Sequence, residues 1–210
     1  MKNNTLLIVD IETGPAPDAD KFKPEFEASG NLKDPAKIAA ALAEKEAEWR
    51  GKLALSPLTG QVLVVGCLRN KADFDIIEGD EAQVIQRAFK AIDEHICGGG
   101  YVVGHNLLGF DLPFLKRRAM KLGVVAPGTL RLKNYRYWDD SLVDTMQVWS
   151  QGIFNERVSL DNLSKFLGHG EKQRSGADFA ELYRTSKADA IDYMEHDLKL
   201  TMSCARSLLT

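Results

Sequence analysis

The sequence predicts an α/β fold, a mixed five-stranded sheet flanked by helices. Three observations lead there. Five short apolar segments have the length and β-branched character of strands. Other stretches repeat apolar residues three and four apart, as core-facing helices do. The order is strand, strand, strand, helix, strand, helix, strand, then helices, which suits a sheet with helices on its faces. The first three strands are joined by segments too poor in helix to force parallel crossovers. The fourth and fifth follow helices and can run parallel to the first.

Thr5 to Ile11 (TLLIVDI) is the first strand, and Gly14-Pro15-Ala16-Pro17 reads as the turn that ends it. Residues 18–56 differ in character. Lys, Glu, Pro24 and Pro35 surround one helical stretch with Ile38, Leu42, Trp49 and Leu53 near one stripe. This is expected to be a helical insertion in a single domain of residues 1–210, packed on that domain or reaching a partner. Gln61 to Leu68 and Phe74 to Glu78 are the second and third strands. Asp80 and Glu81 suit a helix start, and that helix runs to Gly98-Gly99-Gly100. Tyr101 to Gly104 begins the fourth strand, and Leu112 to Leu122 is a helix ended by Gly123. Ser141 to Val143 is the fifth strand, with a short helix from Met146. Ser159 can cap a helix closed by Gly168. Ser186 with Asp189 resembles a capping box opening the last helix.

Composition narrows the class. The chain has 210 residues, 44% hydrophobic and 27% charged, so it can bury a core without disulfides. No apolar run nears the ~20 residues of a membrane span. Leu6 to Val9 ends at Asp10, too soon for the apolar region of a signal peptide. Cys67, Cys97 and Cys204 are odd in number and far apart, which suggests neither a disulfide framework nor zinc. A reduced, cytoplasmic chain is expected. The net charge of −3 by itself gives no hint of nucleic acid.

Three segments carry unexpected polar groups. Asp10 and Glu12 close a strand that otherwise reads as buried. Two residues apart, they point to one face, at the strand end where α/β sheets tend to place ligands. Close like charges raise each other's pKa unless a cation lies between them. A solvated strand end is the plainer alternative. Asn106 to Asp111 lies where a strand hands over to a helix. Alone, Asp111 suits a cap and Asn106 a turn. Tyr193 and Asp197 share a face of the last helix, four residues apart, next to its apolar stripe.

Together, Asp10-x-Glu12, Asn106-x-x-x-Phe110-Asp111 and Tyr193-x-x-x-Asp197 resemble, in order and context, the three motifs of the DEDD 3′–5′ exonucleases. The tyrosine places the resemblance in the Tyr-containing branch of that superfamily. The flanking sequence is most similar to exonuclease domains related to family-B DNA polymerases, which also occur as stand-alone proteins. The resemblance spans residues 5–205 apart from 18–56. It implies a ribonuclease H-like fold with a five-stranded mixed sheet. It also implies that Asp10, Glu12, Asp111 and Asp197 bind two divalent cations. An all-oxygen ligand set suits Mg²⁺ or Mn²⁺. Tyr193 would orient the attacking water, since a pKa of ~10 makes it a poor base.

The resemblance further implies contacts to the 3′ end by Thr13, Asn106 and Phe110, although Phe110 also suits a core position. Between Asp111 and Asp139 no acidic residue occurs. Lys116, Arg117, Arg118, Lys121, Arg131, Lys133 and Arg136 fall there, followed by Tyr137 and Trp138. That interleaving suits a single-strand track, with Lys133 and Arg136 as its contacts, or simply a solvated basic face. The expected activity is metal-dependent 3′–5′ hydrolysis of single-stranded DNA to nucleoside 5′-monophosphates. An exoribonuclease with the same site is the alternative. A non-catalytic nucleic-acid-binding subunit would have no need of four packed carboxylates. The 18–56 segment is a candidate contact for a replication or recombination protein.

Overall fold

The computed structural model describes residues 5–69, 73–130, 140–153, 155–173 and 179–209. In chain order the elements are β1 (Leu6–Pro15), α1 (Pro35–Gly51), β2 (Gly60–Leu68), β3 (Phe74–Glu78), α2 (Glu81–Cys97) and β4 (Tyr101–Gly104). There follow α3 (Leu112–Leu122), β5 (Leu142–Asp144), α4 (Thr145–Ser150), α5 (Leu160–Phe166), α6 (Phe179–Thr185) and α7 (Lys187–Leu208). The chain divides into two compact units. One comprises residues 1–12 and 62–210, the other residues 13–61.

The first unit holds the sheet, in the order β3-β2-β1-β4-β5. β1 and β4 pair in parallel with Leu6 opposite Tyr101, as do β4 and β5 with Val102 opposite Leu142. β2 runs antiparallel to β3. This is the mixed five-stranded sheet that the resemblance implies. Strand alternation divides the apolar residues between two faces. Leu7, Val9 and Ile11 meet Val84, Ile85 and Phe89 of α2 and Leu112 and Leu115 of α3 in one core. Ile8, Val64 and Val103 meet Tyr193, Met194 and Leu198 of α7 and Phe179 of α6 in the other. Asp10 and Glu12 continue the Leu6–Ile8 row, so β1 aims them to the α7 side.

Local signals account for most boundaries. Asp80 caps α2 by accepting from Ala82 N at 3.0 Å, and Gly98 ends it. Gly123, in the left-handed region at φ 70°, ends α3. Ser159 caps α5 through Asn162 N at 3.2 Å. The expected capping box at Ser186 does not form. Ser186 precedes α7, but its side chain makes no capping bond. Helix α6 has no counterpart in the sequence reading.

In the second unit, β1 runs on to Pro15 through residues read as a turn. Cross-strand bonding overrides the turn chemistry there: Ala16 N donates to Thr59 O at 2.8 Å, and Gln61 Nε2 to Pro15 O at 3.0 Å. α1 starts at Pro35, with Asp34 as its cap. Its stripe of Ile38, Leu42 and Trp49 is only half-buried, and the helix buries no residue fully. Trp49 instead packs edge-on against Phe26 at 6.4 Å.

Candidate active site

The first unit gathers carboxylates from β1, from the turn before α3, and from α7. Glu12, Asp111 and Asp197 are at most 8% exposed, and Asp10 is half-buried. Asp111 opens α3 without capping it. Its Oδ1 instead accepts from Ile11 N at 3.0 Å, between the two β1 acids. Burial, then the Asp197 charge, pushes the Asp10 carboxyl up to about 6, while Lys172 and hydrogen bonding with Asp111 pull it back. Glu12 and Asp111 are also raised well above the usual carboxylate range, each by burial first and the Asp10 charge next. Mutual shifts of this kind mark like charges held close.

Tyr193 lies one helical turn before Asp197 and is 2% exposed, with its ring 6.1 Å from Phe179. Burial, with Asp197 and Glu12 nearby, raises the phenol far above its ordinary pKa. α7 can approach the sheet this closely because β2 carries Gly66. A Cβ there would stand 2.6 Å from Met194 Sδ and 2.7 Å from a Leu198 methyl.

Asn106 sits in the left-handed region at φ 64° and leads a π-helical turn, Leu107–Asp111. Asp144, 1% exposed at the end of β5, holds this turn. Its Oδ1 accepts from Asn106 N (2.9 Å) and Met146 N (3.0 Å), and its Oδ2 from Leu108 N (3.0 Å). A Cβ on Gly109 would run into Asn106 Oδ1, so that side chain would have to move.

Donor chemistry and two orphaned atoms fit a hard cation. Tyr193 Oη and Asp197 Oδ1 are buried with no hydrogen-bond partner among the described residues. Such groups are costly unless a ligand, ion or water completes them. Asp10, Glu12, Asp111 and Asp197 offer oxygen alone, as Mg²⁺ and Mn²⁺ prefer. Among the described residues no group of three His, Cys, Asp or Glu side chains is placed to hold a metal ion as it stands, so binding would require these carboxylates to close in. The positive charge at Asp197 comes from Lys172, whose Nζ lies 2.5 Å from Asp197 Oδ2 and 5.4 Å from the Tyr193 ring centroid.

Residues 60–202 match the family model described as a predicted 3′-5′ exonuclease related to the exonuclease domain of PolB. The chain belongs to this exonuclease family. The matched span contains Asp111, Tyr193 and Asp197 and begins after Asp10 and Glu12. Among solved structures, the exonuclease chain is similar to the family B DNA polymerase from the hyperthermophilic archaeon Pyrobaculum calidifontis. The TM-score is 0.62 and the identity 17%, over 98% of this chain and 24% of that one. The exonuclease thus spans about a quarter of that polymerase and shares its ribonuclease H-like fold. No curated protein matches the chain.

The exonuclease unit brings together Asp10, Glu12, Asp111, Tyr193 and Asp197. Asn106 is half-buried in its turn, and Phe110 packs on the core with its ring 5.4 Å from Phe114. Thr13 belongs to the other unit, where its hydroxyl donates to Ala54 O at 2.7 Å. Lys133 and Arg136 lie outside the described residues. Arg118 is no part of a basic track. It is 3% exposed and forks onto Glu81, with Nε–Oε1 at 2.8 Å and Nη2–Oε2 at 2.6 Å.

His105 bridges Thr145 Oγ1 and Val158 O, each at 2.9 Å, and burial lowers its pKa. His196 bonds Glu171 O at 2.9 Å, and His95 bonds Thr5 O at 3.0 Å. These are structural links. Lys172 was invisible in the sequence, for it sits in a segment without periodicity and is recruited only by packing. Asp144 did carry a signal, an acid at a strand end before a helix.

Proposed function

We propose that the chain is a two-metal-dependent 3′–5′ exonuclease that shortens single-stranded DNA from its 3′ end and releases nucleoside 5′-monophosphates. The observation that carries this is the convergence on one side of β1. Asp10 and Glu12 face α7, Asp111 is tied between them through Ile11, and α7 supplies Asp197 and Tyr193, each with one buried oxygen that has no hydrogen-bond partner among the described residues. Asp10, Glu12, Asp111 and Asp197 would hold the two ions. When bound, such ions lower the pKa of a water nucleophile and offset charge on the phosphate and the leaving oxygen.

The chain's own residues do the rest. Tyr193 stays protonated at neutral pH, as an ordinary tyrosine does and as burial reinforces, so it orients a nucleophile instead of taking its proton. Asn106 is presented by the Asp144-held turn to the 3′ end. Phe110 supports that turn from the core, and Thr13 follows the Asp10-x-Glu12 strand end. Lys133 and Arg136 would track the phosphates. The protein is expected to act in the cytoplasm. The exposure of α1 supports the 18–56 segment as a contact for a replication or recombination protein.

The test is a time course on 5′-labelled single-stranded DNA and RNA oligonucleotides with Mg²⁺ or Mn²⁺. Stepwise shortening from the 3′ end of DNA is expected, with none in EDTA. Asp10→Ala and Asp197→Ala should each abolish it. Unchanged cleavage in either variant overturns the metal-ligand assignment, and faster shortening of RNA makes the chain a ribonuclease.

A further inference from the structure

We infer that the cavity beside the Asn106 turn is a nucleobase subsite for the substrate strand, with Gln147 as its recognition group beside Asn106. The inference rests on the exonuclease reading and adds residues outside the three motifs. The cavity encloses about 210 Å³. Asn106 and Gly109 form one wall, Met146, Gln147 and Ser150 of α4 a second, and Gly152 and Ile153 part of the rim. Pockets for whole drug-sized ligands run ~300–1,000 Å³, so this one suits a single planar ring system.

Its chemistry also suits a base. Met146 and Ile153 offer apolar surface to a ring face, and Ile153 is 58% exposed. The amides of Asn106 and Gln147 each offer a donor and an acceptor to a ring edge. The rim is shaped for the purpose. Gln151 and Gly152 both have positive φ, 49° and 83°, which turns the chain sharply after α4. Asp144 fixes two walls against each other, because one carboxylate binds the amides of Asn106 and Leu108 and the first turn of α4.

Position ties the cavity to the reaction. Asn106 and Gly109, in its wall, belong to the turn that ends in Asp111. A base held there keeps its strand beside the carboxylates. Apolar contact to ring faces tolerates any base.

The experiment titrates a 5′-fluorescein single-stranded oligodeoxynucleotide with the full chain in Ca²⁺ and reads anisotropy. The oligonucleotide is intact, or carries one abasic residue at each of its last three 3′ positions. For wild type, base removal at one position should weaken binding about fivefold or more. Ser150→Trp, which fills the cavity, should bind the intact strand about fivefold more weakly and lose no more at that abasic position. Gln147→Ala should fall between. Circular dichroism and melting temperature establish that each variant folds. The subsite is overturned if wild type degrades the strand in Mg²⁺ yet shows no base-dependent position. It is equally overturned if folded Ser150→Trp responds to abasic positions as wild type does. Wild type that neither binds nor degrades the strand overturns the exonuclease reading itself.

Discussion

Ile11 and Asp111, 100 residues apart in sequence, meet in a 3.0 Å hydrogen bond from the Ile11 amide to the Asp111 carboxylate. The amide lies between Asp10 and Glu12, so this bond fixes the second motif against the first. Asp111 thus serves the fold and the proposed metal site together, and its variants should separate the two. Asp111→Asn retains an acceptor for Ile11 and relieves a buried charge, so in EDTA at pH 7.5 it should melt at or above wild type, while activity falls at least ~100-fold for loss of the charge. Asp111→Ala also leaves a buried amide unpaired and should cost a further ~1–3 kcal/mol. Denaturant melts beside the oligonucleotide assay check both. An active Asp111→Asn enzyme contradicts the ligand role.

Asp10 makes the metal-free protein pH-dependent. Its folded pKa is raised from 3.8 to about 6. The folded state therefore holds this proton more tightly than the unfolded chain does. The resulting stability is fully present below about pH 4 and lost as pH rises through about 6. Asp10→Asn removes the penalty. In EDTA at pH 7.5 the variant should melt a few degrees above wild type, since ~1 kcal/mol is worth ~2–4 °C at this size. The gap should narrow toward pH 4. Equal melting temperatures at both pH values would show that the fold does not raise the Asp10 carboxyl, whether by burial or by the Asp197 charge.

Tyr193 contributes a buried hydroxyl without a partner among the described residues. Tyr193→Phe therefore breaks at most a loose contact with Asp197 and retains the packing against Phe179. It should match or slightly exceed wild type in stability. Single-turnover cleavage should slow by roughly 100-fold, the size of a lost orienting contact to the nucleophile. Wild-type cleavage by this variant would remove the tyrosine from the mechanism.

Gly66 sets how closely α7 lies on β2. Gly66→Ala places a methyl where Met194 and Leu198 already stand, and the helix or those side chains must shift. Overpacking of this kind costs ~1–3 kcal/mol. Because Tyr193 and Asp197 ride on the same helix, cleavage should fall as well, although Gly66 touches no substrate. Pairing it with Met194→Ala should recover part of both losses. A loss of stability with full activity would mean that the helix position does not matter to the site.

Much of the site is legible because its geometry is local. The i, i+2 rule puts Asp10 and Glu12 on one strand face, and the i, i+4 rule puts Tyr193 and Asp197 on one helix face. Asp80, Ser159, Gly98 and Gly123 mark helix ends because capping acts within a few residues. Where local and distant bonding compete, the sequence misleads. Gly14-Pro15 reads as a turn, yet cross-strand partners at Thr59 and Gln61 hold it extended. Ser186 reads as a cap but makes no such bond. Arg118 reads as part of a basic track, yet Glu81 holds it inside the fold.

The sequence by itself determined the five strands, the helices other than α6, and the faces that Asp10, Glu12, Tyr193 and Asp197 occupy. All of these follow from backbone periodicity over a few residues. Only the tertiary structure decided that Ile11 braces Asp111, that Asp144 clasps the Asn106 turn, and that Lys172 supplies the cation at Asp197. Each of these depends on how closely helices pack against the sheet and which buried polar atoms then need a partner. Neither is encoded at any single spacing along the chain.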